Sequence, residues 1–252
     1  VNGKFRENVC SKDLMLYLIG KIGADGATYR ALEFCGETIK NMSMAERFTL
    51  ANMAVEAGAK AGLFETDNKT YEYLKENGRE DKFVEIKMDD DAKYERVIEI
   101  DASEIEPCVS CPHTVDNVKF AKELNNIKVN QVFVGTCTNG RIEDLRVVAK
   151  VLKGNKKHPN VRMIIVPASP KIYLQAVKEG LIEIFVEAGA TFLPAGCGPC
   201  VGVHGGILGD NEVCLATQNR NFQGRMGNTK GFIYLASPYV AAKSAIAGYI
   251  TD

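Results

Sequence analysis

The sequence predicts an α/β fold built around a doubly wound, mainly parallel sheet. From Gln131 onward, strand-like apolar runs alternate with helix-like segments, as in a series of βαβ units. Some of these runs are almost continuously apolar, which is typical of strands that are covered on both faces. The length of 252 residues is enough to bury a sizeable core and to form two domains.

The first half of the chain mixes helices with segments that resemble strands. Ser11 is a good N-cap for a helix over 12–23, and Ser43 with Glu46 forms a capping box for a helix over 44–58. The other elements predicted in this half are one short helix and two alternating strands, over 71–77, 83–88 and 94–100.

The second half has a regular strand–helix rhythm. The predicted strands are 131–135, 161–166, 191–194, 212–217 and 232–235. The predicted helices are 143–152, 171–179, 182–188 and 238–250. Because prolines interrupt the segment 106–113, we place a boundary there and expect two domains, 1–112 and 113–252.

Residues with reactive or charged side chains follow several of the predicted strands. Cys137 lies in Gly-Thr-Cys-Thr-Asn-Gly-Arg after the first strand, and Cys197 and Cys200 lie in Gly-Cys-Gly-Pro-Cys after the third. Arg220 and Arg225 lie in Asn-Arg-Asn-Phe-Gln-Gly-Arg after the fourth. Since ligands of parallel sheets gather beyond the carboxyl ends of the strands, we expect these motifs to meet at one edge.

The spacing of the three cysteines suits an iron–sulfur cluster. One distant thiolate and one close pair can bind three irons of a four-iron cluster, leaving the fourth open to act as a Lewis acid. Two alternatives remain open at this point. Cys108 and Cys111 could join the close pair in a four-cysteine zinc site, although the two pairs lie far apart in the chain. The close pair could also be a redox motif, although a Gly-rich stretch follows it instead of a helix.

Two further features suggest chemistry on a carboxylic acid. Guanidinium groups on a glycine-containing loop, as at Arg220 and Arg225, can bind carboxylates in a bidentate manner. Glu56 follows Asn52 by four residues, so that the two share a helix face. Taken alone, the spacing of Asn52 and Glu56 favours a solvated glutamate at the protein surface.

Composition excludes several classes of function. Lys and Arg number 31 against 32 Asp and Glu, which argues against binding to nucleic acid or to a membrane surface. No apolar run approaches the ~20 residues of a membrane span, and the first residues lack a signal-peptide core. The eight cysteines are too sparse for a disulfide scaffold. We therefore expect a protein of the reducing cytoplasm.

The three motifs, in this order, resemble those of the aconitase family, particularly its two-subunit branch of 3-isopropylmalate dehydratase and homoaconitase large subunits. The resemblance covers essentially the whole chain. It implies an aconitase-like fold of three-layer α/β/α domains with mainly parallel sheets. It also implies a hydro-lyase that isomerises a hydroxy di- or tricarboxylic acid by dehydration and rehydration, in leucine or lysine biosynthesis.

The resemblance also implies roles for individual residues. Cys137, Cys197 and Cys200 would ligate a [4Fe–4S] cluster, which weakens the zinc interpretation. Glu56 and Asn52 would reach the hydroxyl group or water at the open iron. The residues implied to bind the small carboxylic-acid substrate are Arg220, Arg225, Asn139 and Asn219.

Part of the family pattern has no counterpart in the sequence. The family's large subunit carries an N-terminal domain with an Asp-Ser-His segment, and its serine base belongs to a swivelling domain that forms a separate small subunit. The start at Val1, without Met, suggests a domain fragment or a proteolysed product. We therefore expect the chain to need the small subunit as a partner, to be inactive alone and to lack its cluster after purification in air.

Overall fold

A seven-stranded sheet forms the centre of the computed structural model, which describes residues 1–252. The strands are β1 (Ala31–Glu33), β2 (Ala61–Leu63), β3 (Cys108–Ser110), β4 (Val118–Phe120), β5 (Gln131–Val134), β6 (Arg162–Ile165), β7 (Thr191–Phe192), β8 (Val213–Ala216) and β9 (Phe232–Ala236). Their spatial order in the large sheet is β4-β3-β9-β8-β5-β6-β7, while β1 and β2 form a separate parallel pair. The strands from β9 to β7 are parallel, and β3 runs antiparallel to both of its neighbours.

Nine α-helices surround the two sheets. They are α1 (Ser11–Ile22), α2 (Glu37–Asn41), α3 (Met44–Met53), α4 (Asn68–Glu76), α5 (Thr136–Asn139), α6 (Ile142–Leu152), α7 (Pro170–Lys178), α8 (Leu181–Glu187) and α9 (Pro238–Ala247). No helix is both long enough and apolar enough to span a membrane.

The large sheet separates two hydrophobic cores. Along β5, Phe133 points into one core, whereas its neighbours Val132 and Val134 point into the other. The first core is closed by residues of the N-terminal half, including those of α1 and α3, and the second by α6, α8 and α9. This arrangement of helix layers on both faces confirms the predicted α/β class and explains why the strands are apolar on both sides.

Helix α1 is fastened to the sheet by a buried carboxylate. Asp13 is fully buried, and its Oδ1 accepts a hydrogen bond of 2.8 Å from the backbone N–H of Cys108 in β3. Its Oδ2 accepts one of 3.0 Å from the backbone N–H of Cys10, which caps α1. The predicted N-cap, Ser11, is therefore wrong, because the N-cap of α1 is Cys10. Burial raises the pKa of Asp13 from 3.8 to about 6.

Most predicted elements are confirmed to within a few residues, with two kinds of correction. The helix predicted over 44–58 ends at Met53 and tightens into a 3₁₀ turn, Ala54–Ala57, before Gly58 adopts a left-handed φ of 83°. The capping box of Ser43 and Glu46 is confirmed. The last helix also ends early, at Ala247, where Gly248 takes a left-handed φ of 85°.

The strands predicted over 83–88 and 94–100 are wrong. Both segments are irregular, and residues 83–88 are held chiefly by Thr66, whose hydroxyl accepts a hydrogen bond of 2.7 Å from the N–H of Ile86. Val84 and Val97 are 63% and 73% exposed, and of these two segments only Ile98 and Ile100, at the end of the second, pack against the first core. A strand needs a partner strand to pair with along its length as well as an alternating sequence, and neither segment pairs with a strand of the two sheets.

The boundary predicted between residues 112 and 113 lies in the loop that joins β3 to β4. Both of these strands pair within the large sheet, and β3 also pairs with β9. The first core, moreover, contains residues from both halves of the chain. The division into domains 1–112 and 113–252 stays a prediction.

We predict that Asp13→Asn destabilises the protein most at acidic pH. Above about pH 4 the unfolded chain loses the Asp13 proton, whereas the folded chain retains it until about pH 6. The contribution of Asp13 to the free energy of unfolding of the wild-type protein therefore falls as the pH rises from about 4 to about 6. The deficit of Asp13→Asn relative to wild type should shrink by about 1–3 kcal/mol over this range, as measured by urea unfolding.

The control is Asp210→Asn. Lys230 and Asn228 lower the pKa of this exposed carboxyl, so its contribution to stability is lost as pH falls. The two variants should therefore show opposite pH trends, and parallel trends would contradict the assignment of a raised pKa to Asp13.

Candidate functional site

The predicted site residues of both halves approach the carboxyl edge of the parallel strands. Cys137 lies in α5, directly after β5, and the segment of Asn219 to Arg225 follows β8. Cys197 caps a 3₁₀ turn, Gly198–Val201, that follows β7 and contains Cys200. The structure therefore brings the three motifs to one edge, as the strand order predicts.

The turn that presents Cys137 is sterically tight. Gly135 has a φ of 154°, and a Cβ atom at this position would lie 2.5 Å from the backbone oxygen of Val166. Thr136 follows with a φ of 81°, which is unusual for a β-branched residue. The Thr217 hydroxyl, at the end of β8, accepts a hydrogen bond of 2.9 Å from the N–H of Gly135 and donates one of 3.2 Å to its carbonyl. The ends of β5 and β8 are thus tied together, and Cys137 is exposed beyond them.

Three polar side chains form a network beside Cys137. Asn219 Nδ2 donates a hydrogen bond of 2.6 Å to Asn52 Oδ1, across 167 residues of sequence. The Thr138 hydroxyl lies 2.9 Å from Asn52 Oδ1 and 2.6 Å from Asn219 Oδ1. Asn52 Nδ2 lies 3.8 Å from the Cys137 sulfur atom. Thr138 was missed in the sequence analysis, although a hydroxyl group next to a candidate ligand inside a motif was a usable signal.

Glu56 and Arg220 form an ion pair at the same edge. Arg220 Nε donates a hydrogen bond of 2.9 Å to Glu56 Oε1. The Glu56 side chain is only 9% exposed, whereas that of Arg220 is 41% exposed. Burial raises the pKa of Glu56, and the Arg220 guanidinium opposes this shift. Glu56 is therefore not the solvated surface glutamate that its sequence pattern alone favours.

Arg225 lies beside the close cysteine pair. Its Nη2 lies 3.7 Å from the Cys200 sulfur atom, and its guanidinium carbon lies 5.5 Å from the centre of the Phe222 ring. Burial raises the pKa of the Cys200 thiol, and the Arg225 charge opposes this shift. Negative charge on Cys197 or Cys137 would raise it further, which indicates that the three cysteines lie within electrostatic range of one another.

Asn139 is placed differently from the other predicted substrate contacts. It is 2% exposed, and its Nδ2 donates a hydrogen bond of 3.2 Å to Asp144 Oδ1. Its own Oδ1 is buried and has no hydrogen-bond partner. The structure does not join Asn139 to the network of Asn52, Thr138 and Asn219.

The four-cysteine zinc interpretation does not agree with the structure. Cys108 is fully buried in β3, where its thiol donates a hydrogen bond of 3.2 Å to the carbonyl of Glu106. No three His, Cys, Asp or Glu side chains lie close enough together to hold a single metal ion. All eight cysteines are unpaired, and the Cys197–Cys200 motif caps a 3₁₀ turn where a thioredoxin-like motif would open an α-helix.

The same three motif cysteines do fit an iron–sulfur cluster. Each would bind a different iron atom, so their sulfur atoms need not converge on one point as they would around zinc. Cys137 and Cys197 are exposed, Cys200 is partly exposed, and thiolates are the ligands that such clusters require. A cavity of about 910 Å³ lies elsewhere, between α6, α9 and the start of α1. The cysteines therefore lie at an open edge of the sheet and not in that cavity.

Comparison with known proteins agrees with this geometry. A model of the aconitase family (aconitate hydratase) matches residues 1–122 and 117–248. The 3-isopropylmalate dehydratase large subunits of Elusimicrobium minutum and Thermotoga maritima are 70% and 56% identical to the chain, over 100% of its length and 60% and 61% of their own. The methanogen homoaconitase large subunit of Methanocaldococcus jannaschii is 51% identical, over 98% of the chain and 60% of its own length. The chain thus spans about 60% of the length of these curated relatives.

We predict that Gly135→Ala destabilises the protein more than Gly154→Ala. Both glycines have positive φ angles, but nothing lies within 4 Å of a Cβ atom on Gly154, whereas Gly135 faces a backbone oxygen. The difference between the two losses should be about 1–3 kcal/mol, as measured by denaturant unfolding, because the backbone around Gly135 has to move. Equal losses would show that the Cys137 turn is not sterically constrained.

Proposed function

The chain belongs to the aconitase family, and we propose that it is the cluster-bearing part of the large subunit of a hydro-lyase in that family. The reaction class is the isomerisation of a hydroxy di- or tricarboxylic acid by loss and re-addition of water. The observation that carries this proposal is the convergence of three free thiols with two arginines at one edge of a parallel sheet. This convergence supports the hydro-lyase activity that the resemblance to the family implies.

Cys137, Cys197 and Cys200 would hold a [4Fe–4S] cluster. When bound, such a cluster supplies an iron with an open position, which polarises the hydroxyl group that leaves as water. The Arg225 guanidinium, at 3.7 Å from the Cys200 sulfur, favours the thiolate form that a ligand needs. Asn52 Nδ2 lies 3.8 Å from the Cys137 sulfur atom.

Arg220 and Arg225 would bind carboxylate groups of the substrate. Arg220 donates to Glu56 through Nε alone, so its terminal nitrogens keep their N–H groups available. Arg225 contacts Cys200 through Nη2, and its Nε has no hydrogen-bond partner. Two guanidinium groups with unused donors on one loop suit a substrate that carries at least two carboxylates.

Glu56 would exchange a proton with the hydroxyl group or water of the reaction. Its carboxyl is nearly buried, and burial raises its pKa, which strengthens its hold on a proton. Asn52 and Asn219 would orient the same hydroxyl group through their amides. Asn139 enters this proposal as a support of the Cys137 turn, because its amide is buried against Asp144.

The substrate would be 3-isopropylmalate, homocitrate or citramalate, in leucine or lysine biosynthesis. The relatives are named as large subunits, so we propose a small subunit as a partner that supplies a further part of the pocket. Discrimination between an isopropyl and a longer acidic group would then rest on that partner. The eight unpaired thiols suit the reducing cytoplasm.

We predict that anaerobic reconstitution with iron and sulfide produces the brown absorbance of a [4Fe–4S] cluster. Cys137→Ser, Cys197→Ser and Cys200→Ser should each abolish most of this absorbance, because each removes one of three ligands. Cys35→Ser is the matched control, since Cys35 is also an exposed free thiol but lies outside the motifs. Loss of absorbance in Cys35→Ser, or none in the other three variants, would contradict the ligand assignment.

We also predict that the reconstituted chain has no dehydratase activity, alone or with a relative's small subunit. The residues of this chain span about 60% of the length of the relatives, and we propose that the other part of a large subunit also carries catalytic groups. A relative's full-length large subunit with the same small subunit is the positive control. Measured turnover of isopropylmalate or homocitrate by the chain would show that these 252 residues hold every catalytic group of the large subunit.

A further inference from the structure

Lys12 is a fully buried cation that the proposed chemistry does not use. It lies in the first turn of α1, where a positive charge is disfavoured by the helix dipole. No carboxylate lies within ion-pair distance of its Nζ atom. Burial lowers its pKa from 10.5 to about 8. A buried ammonium at such a position needs strong hydrogen bonds to offset its loss of hydration.

The hydrogen bonds of Lys12 go to the loop that carries the site arginines. Its Nζ donates to the carbonyl oxygen of Thr217 at 2.9 Å and to that of Gln218 at 2.8 Å. These two peptide groups directly precede Asn219 and Arg220. The two contacts link positions that are 205 and 206 residues apart in the sequence.

The same turn is also linked to the cysteine turn. The Thr217 hydroxyl binds both backbone groups of Gly135, two residues before Cys137. The Gln218 amide bridges the turn internally, since its Nε2 donates a hydrogen bond of 2.7 Å to the carbonyl of Arg220. The Lys12 ammonium group therefore binds the turn that leads into the arginine loop and that also contacts the cysteine turn.

We propose that Lys12 is a positioning residue of the site: by binding the carbonyls of Thr217 and Gln218, it fixes the orientation of Asn219 and Arg220 towards Asn52 and Glu56. This inference rests on the proposed function only for its last consequence, the binding of a carboxylate ligand. The positioning itself is a property of the chain and can be measured without activity.

The test compares Lys12→Met and Lys12→Arg with Lys21→Met in the full chain. Lys21 lies on the same helix and is exposed, so it controls for the loss of a lysine from α1. Native-state hydrogen exchange of residues 217–225 is measured against that of α6 as an internal reference. The NMR signal of the Arg220 Nε–H group, which is hydrogen-bonded to Glu56, is followed in the same samples.

We expect Lys12→Met to lose protection selectively in residues 217–225 and to broaden the Arg220 Nε–H signal. Lys12→Arg, which keeps the charge and several donors, should restore both. Unchanged protection in Lys12→Met, or equal losses in Lys12→Met and Lys21→Met, would overturn the proposal. In the wild-type chain the Lys12 ammonium protons should exchange slowly with solvent, and fast exchange would overturn it even if Lys12→Met fails to fold.

Malate, a simple hydroxy-dicarboxylate, separates this inference from the proposed function. Lys12→Met should weaken malate binding about tenfold relative to wild type, the amount expected if the displaced Arg220 loses one charge-assisted hydrogen bond to a malate carboxylate. If the exchange pattern follows the expectation but the wild-type chain does not bind malate, the positioning role stands and the proposal that Arg220 and Arg225 of this chain bind carboxylates fails.

Discussion

The site depends on how the N-terminal half packs against one face of the large sheet. Glu56 meets Arg220, Asn52 meets Asn219 and Lys12 meets Thr217 only because α1 and α3 close the first hydrophobic core. Each of these contacts joins residues more than 160 positions apart. The apolar burial that holds the two halves together is non-directional, so the polar contacts are what fix the register of one half on the other.

Much of the fold follows from local sequence patterns, but its failures have one physical cause. Strands β5, β6 and β8 are apolar on both faces and lie between helix patterns, so their existence could be predicted. The alternation over 83–88 and 94–100 looked equally regular, yet those segments have no neighbouring strand and leave Val84 and Val97 exposed. Periodicity reports which faces of a strand differ, whereas pairing depends on distant parts of the chain.

The site shows the same division between local and distant information. Cys137, Cys197, Cys200 and the two arginines lie in short motifs after strands, so they could be found from the sequence. Lys12 could not be found in this way. A Ser-Lys-Asp sequence at the start of a helix is typical of a solvent-exposed first turn, whereas all three residues are buried here. Glu56 was ambiguous for a related reason: its ion pair with Arg220 is created by the packing of the two halves.

The charges of the site suit the binding of anions, and the contacts among them order the site without a ligand. Lys12, Arg220 and Arg225 place positive charge at one edge of the sheet, and the carboxylate of Glu56 forms an ion pair with Arg220. The ion pair holds Arg220 in place, but its terminal N–H groups stay available and Arg225 keeps an unused donor. Thiolates with bound iron and a dicarboxylate would both add negative charge where positive charge is in excess. The edge is therefore electrostatically complementary to ligands that this chain alone does not enclose.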